Sequence, residues 1–112
     1  MYVSARAYAV WHTAEAIIAY MEQHDDMWPT NWEDLRPYAR TGPNTFEELQ
    51  ERVGIDWNAN PEELAKATPL AGKPPFRVIW LKDGTGIHYE GMEPNQMILE
   101  YLQQRKQSPG ER

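Results

Sequence analysis

HDDMWPTNWEDL, residues 24–35, packs two tryptophans, four carboxylates, a histidine and a proline into twelve positions. The fold depends on whether this stretch is one site or a junction between two elements. Trp28-Pro29 forces extended backbone, because the residue before a proline is kept out of the helical region. Thr30-Asn31-Trp32-Glu33 then has capping-box spacing: the threonine hydroxyl takes the amide three residues on, and the glutamate returns to the cap. A short helix is predicted there, with Leu35 and Tyr38 buried and Pro37 limiting its length. The stretch therefore reads as a helix end, a proline corner and a new helix start.

Upstream, Val3, Ala7, Val10, Ala14, Ile17 and Met21 recur at alternating steps of four and three, one stripe of a helix of about six turns. Trp11 and Ile18 widen the stripe. Six alanines keep this helix slim enough for a partner to approach closely. The stripe suits either a core-facing side or a contact face for another molecule, formed by Val3, Ala7, Val10, Trp11 and Ala14.

Downstream, Asn44-Thr45-Phe46-Glu47 repeats the capping pattern, with Phe46, Leu49 and Val53 on one face and Gly54 as a stop. Asn60-Pro61-Glu62-Glu63 does so again, with proline at the favoured first helical position. Val53, Ile55 and Trp57 alternate with polar or small residues, as in a short half-buried strand. Lys82-Asp83-Gly84-Thr85 lies between the apolar runs 76–81 and 86–90, the pattern of a hairpin that pairs Trp80 with Ile87 and Val78 with Tyr89. Pro94 opens a closing helix to residue 104, with Met97, Ile98, Tyr101 and Leu102 as its stripe. Residues 105–112 read as a flexible tail.

These elements predict an α+β fold: a long N-terminal helix packed on a small antiparallel sheet (C-terminal hairpin 76–90), short capped helices in the connection, and a C-terminal helix. Residues 1–104 form a single domain, consistent with a chain of 112 residues. Seventeen acidic against eleven basic side chains give a net charge of -6, and the basic residues are scattered apart from Arg105 and Lys106. Nucleic acid is not an expected partner, because phosphate neutralisation needs a clustered basic surface. The chain has no cysteine, which removes disulfides, thiolate zinc sites and a cysteine nucleophile together. No apolar run approaches the roughly 18–20 residues that span a bilayer.

The carboxylates of residues 24–35 raise the question of a cation site or an acid–base pair. Their spacing matches no ligand motif, and the stretch lacks the glycine a calcium loop needs for its turn. His12, His24 and His88 have no helical partner at metal-pair spacing. The only serines, Ser4 and Ser108, lie near the two ends. No catalytic, cofactor-binding or metal-binding residues are expected. The structural corner is assigned to Tyr20, Trp28, Pro29, Thr30, Trp32, Glu33 and Leu35.

AEAIIAYMEQHDDMWPTNWEDLRPYA resembles the soluble part of type IV pilin-like proteins, especially type II secretion pseudopilins. The residues that carry the resemblance are Tyr20, Trp28, Pro29, Thr30, Glu33, Asp34 and Leu35, within about the first third of the chain. It departs from that pattern in having Asp25-Asp26 and Trp28 where a glycine-containing turn and a tyrosine are more usual. It also lacks a leader and a hydrophobic first half-helix. The resemblance implies a non-catalytic assembly component, extracytoplasmic and tethered to the membrane by a segment outside this sequence, with protein partners and self-assembly through its first helix. Net charge and the missing catalytic set equally suit a small acidic interaction module of immunity or adaptor type, cytoplasmic, that binds a basic protein.

Overall fold

The computed structural model describes residues 5–40, 42–68, 73–86, 89 and 92–106. Helix α1 (Ala5–Gln23) runs through the middle of the molecule and buries Ala7, Ala9, Val10, Thr13, Ala14, Ala16, Ile17 and Met21. The alanines on this face let neighbouring elements approach closely. Thr13, the one polar residue of the set, donates its hydroxyl to the Ala9 carbonyl at 2.7 Å. The stripe that the sequence left open as a contact face is thus enclosed within the chain: Ala7, Val10 and Ala14 are buried and Trp11 is half-buried. Val3 lies outside the described residues.

Two consecutive aspartates end α1. Asp25 and Asp26 have φ of 54° and 62°, the left-handed region that aspartate tolerates better than most side chains, at about 1 kcal/mol each. The Asp26 amide closes the last turn on the Met21 carbonyl at 2.8 Å. After Trp28-Pro29 comes α2 (Trp32–Leu35), which tightens into a 3-10 turn over Arg36–Tyr38 where Pro37 stops it.

Helix α3 (Phe46–Arg52) starts with a reciprocal capping box in which Thr45 and Glu48 exchange bonds of 2.8 and 3.1 Å. The expected cap, Asn44, is displaced by one residue and buried. Its side-chain amide donates to the Ala5 carbonyl at 2.9 Å, and its oxygen accepts from Arg52. Helix α4 (Pro61–Ala65) is capped by Asn60 with Pro61 at its start, as its sequence predicts.

The sheet is two-stranded and antiparallel. Strand β1 (Val53–Ile55) pairs with β2 (Ile79–Leu81) in the register Val53↔Leu81, Gly54↔Trp80 and Ile55↔Ile79. Asp56 N–H to Val78 and Lys82 N–H to Arg52, both at 2.9 Å, bracket the ladder. Gly54 is required because the Trp80 indole lies over it. A β-carbon there would come within 2.4 Å of the ring.

Of the hairpin expected over 76–90, residues 79–81 form a strand and a turn follows it, centred on Lys82-Asp83, one residue before the expected Asp83-Gly84. Gly84, at φ 81°, donates to the Leu81 carbonyl at 3.0 Å. Among the described residues, β2 pairs with β1. Ile87, His88 and Glu90 lie outside the described residues. The bracketing bonds make Ile55↔Ile79 a pair whose polar groups point away from each other. Asn95 occupies the free side of Ile79: its oxygen accepts from Val78 N–H at 2.7 Å and Ile79 N–H at 3.1 Å, and its amide donates to the Ile79 carbonyl at 3.0 Å. A side chain thus satisfies the polar groups of Ile79 that point away from β1.

Asn95 belongs to α5 (Pro94–Lys106), which buries Ile98, Leu99 and Leu102 and packs along α1. This helix continues into the first residues of the expected tail, and residues 107–112 lie outside the described set. No described helix is long and apolar enough to cross a membrane.

Candidate functional site

The stretch 24–35 divides between two surroundings. In its second part, Trp28 is 7% exposed and its indole N–H donates to the Asp56 carbonyl at 2.9 Å. Pro29 and Leu35 are fully enclosed. Trp32 meets Phe46 and Trp57 edge-on, with centroids at 6.0 and 5.7 Å.

The cap of α2 falls one residue after the expected threonine. Asn31 accepts the Asp34 amide at 3.0 Å, while the amide and hydroxyl of Thr30 both donate to the Asp34 carboxylate, at 2.9 and 2.8 Å. Those Thr30 bonds hold the Asp34 carboxyl below its ordinary range. Glu33, freed from capping, receives both Nε and Nη2 of Arg36 at 3.0 and 2.8 Å, which lowers its own pKa, and the guanidinium carbon of Arg36 lies 4.3 Å from the Phe46 centroid. Tyr20 stacks on His24 at 4.0 Å with Tyr38 edge-on at 6.1 Å. Tyr20 thus stands on the outer side of the same corner. Each of these groups makes a packing or hydrogen-bonding contact within the chain.

The first part of the stretch opens onto a cleft of about 560 Å³ between the end of α1, α4 and α5. Its apolar lining comes from Pro61, Ala65 and Leu102, and its charges from Asp25, Asp26, Glu62, Lys66 and Arg105. Gln103 ties the walls together by donating to the Ala65 and Ala67 carbonyls at 3.3 and 3.1 Å.

Asp26 is held from two sides by α5: Tyr101 donates its hydroxyl to one carboxylate oxygen at 2.5 Å, and Arg105 its Nε–H to the other at 3.2 Å. Burial, and then this bond to Asp26, push the Tyr101 phenol above its ordinary value. Glu22 is near enough to add to the rise. Lys66 turns to Glu63 at 3.6 Å. Both cations of the cleft are therefore neutralised by the chain's own carboxylates, while Asp25 and Glu62 have no ion pair among the described residues. Met27, on the same turn, is 64% exposed.

A second aromatic group is formed by Trp11, whose indole donates to the Met92 carbonyl at 2.7 Å, and Tyr89 at a centroid distance of 5.2 Å. Burial, with Glu93 close by, pushes the Tyr89 phenol up to about 12. This contact locates the one half-buried member of the expected helix face.

Among the described residues, no three histidines, aspartates or glutamates stand close enough to hold a metal ion. The cleft escaped the sequence reading because α4 and α5 meet Asp25 and Asp26 only in three dimensions. The adjacent acidic pair at a helix end was its one local sign. Comparison with protein-family models, with curated proteins and with solved structures finds no match to this chain.

Proposed function

We propose that this domain is a non-catalytic protein-contact module whose cleft between α1, α4 and α5 takes a basic, partly apolar segment of another protein. One observation carries the reading: over an apolar lining, both cations of the cleft are already paired while, among the described residues, Asp25 and Glu62 have no ion pair. A partner that brings a lysine or arginine beside an apolar side chain complements both features, and complementary charge mainly sets specificity and the rate of encounter. The net charge of -6 acts in the same direction at long range.

The test is an amide chemical-shift titration with a short synthetic peptide of leucine and arginine, against one of leucine and glutamate. The arginine peptide is expected to shift Asp25, Asp26, Glu62 and Leu102, and the combined Asp25→Asn and Glu62→Gln variant to lose that response. Equal shifts with both peptides, or shifts confined to other surfaces, overturn the reading.

The order of elements supports a second reading, a pilin-like or pseudopilin-like extracytoplasmic assembly component. A first helix, a Trp-Pro corner, a short capped helix and antiparallel strands follow one another as the resemblance implies. In that reading, contacts with neighbours run over the outer side of α1, since Ala7, Val10 and Ala14 already serve the core. It requires an in-phase reading frame upstream of Met1 that encodes about 20 apolar residues. A stop codon in phase just before Met1 overturns it.

A further inference from the structure

We infer that Arg105 is the chain's own occupant of the cation seat in this cleft, an autoinhibitory contact that a basic partner must displace; the inference rests on the protein-contact reading above. Asp26 is positioned independently of Arg105. Its backbone is fixed by the bond to Met21, and its other carboxylate oxygen by the Tyr101 hydroxyl. When the guanidinium leaves, a fixed carboxylate remains with one oxygen turned to the cleft.

The occupant itself is held weakly. Arg105 makes a single bond from Nε at 3.2 Å, and the two side chains are 53% and 32% exposed. Ion pairs in such contact with water contribute little and exchange readily with a competing cation. Lys66, the other cation of the lining, is paired with Glu63 and leaves Asp26 untouched. The two basic residues therefore differ in one respect only that matters here: Arg105 blocks the seat and Lys66 does not.

Arg105→Gln and Lys66→Gln remove the same charge from the same cleft, and both side chains are exposed, Arg105 on α5 and Lys66 at the C-terminal cap of α4. In titrations with the leucine and arginine peptide, Arg105→Gln is expected to bind about three- to fivefold more tightly than the unmodified protein, the range of one exposed ion pair. Lys66→Gln is expected to gain less than about half as much. In the unmodified protein, the Nε–H resonance of Arg105 is expected to move toward that of a solvated guanidinium as peptide is added.

Equal gains in the two variants mean attraction by bulk charge and overturn the inference. So does an Arg105 resonance that stays in place at saturation. Binding at the cleft with no gain from Arg105→Gln overturns the self-occupancy of the seat while the contact function stands. Absence of cleft binding in all three proteins overturns both.

Discussion

Residues 28–35 and residues 24–27 are adjacent in the chain, yet the first segment anchors Trp28, Pro29 and Leu35 in the core while the second borders an open, charged cleft. In the first segment the polar groups have short partners: the Trp28 indole on Asp56 at the core and, on the exposed side of the corner, Asp34 on Thr30 and Glu33 on Arg36. Around the cleft the ion pairs are longer, at 3.2 Å for Arg105 and 3.6 Å for Lys66, and among the described residues Asp25 and Glu62 have none. The difference separates what holds a small domain together from what its surface leaves exposed. Apolar area removed from water supplies the stability, whereas exposed charge contributes little to it and remains free to meet a partner.

The largest expected effect tests the sealed side. Trp28→Ala removes a nearly enclosed indole and leaves the Asp56 carbonyl without its donor. Such truncations cost about 3–5 kcal/mol, a large share of the stability of about 5–15 kcal/mol usual for a domain. Chemical denaturation of the variant is expected to show a large fall in midpoint. An unchanged thermal melt would break the comparison at its root.

A smaller effect sharpens it by asking whether a buried polar contact behaves as part of the sealed core. Asn95→Ala strips partners from the Val78 and Ile79 amides and the Ile79 carbonyl. Unsatisfied buried groups cost about 1–3 kcal/mol. A loss in that range, with faster hydrogen exchange at the Ile79 amide, is expected. Protection at Ile79 equal to that of the unmodified protein would remove Asn95 from its assigned place at the strand edge.

Asn95 also marks where sequence reading stops. Local rules foretold α1 from its apolar stripe, α4 from Asn60-Pro61, and, to within one residue, the turn after β2 from residues adjacent in the chain. They placed the caps of α2 and α3 one residue early, because Thr30 and Asn31, like Asn44 and Thr45, offer two eligible side chains in succession. Only the buried neighbours decide between them; Asn44 is drawn inward to Ala5 and Arg52.

The pairing of β1 with β2 joins segments separated by α4 and its flanking loops, and an asparagine on the first turn of α5 completes the strand edge. Neither leaves a periodic trace in the sequence. The cleft was hidden for the same reason: its walls come from three distant segments, and only Asp25-Asp26 were visible together.

The smallest effect belongs to an exposed contact outside the cleft and tests how far the weak-surface half of the comparison extends. The Asp83 carboxylate accepts from Thr85 and from Arg6 Nε, which lies at 2.8 Å. The hydroxyl and backbone bonds of Thr85, and then the Arg6 guanidinium, hold its pKa down to about 2. In an unfolded chain aspartate titrates near ~3.9. Because the folded value is the lower one, this contribution to stability is complete above about pH 4 and disappears as the pH falls toward about 2. Glu33 and Asp34, also lowered, lose stabilisation in the same direction. Asp83→Asn is therefore expected to leave the denaturation midpoint nearly unchanged at low pH and to lower it slightly at neutral pH, which flattens the profile between the two. An acid slope as steep in the variant as in the unmodified protein would show that the contact between Arg6, Asp83 and Thr85 contributes nothing to folding.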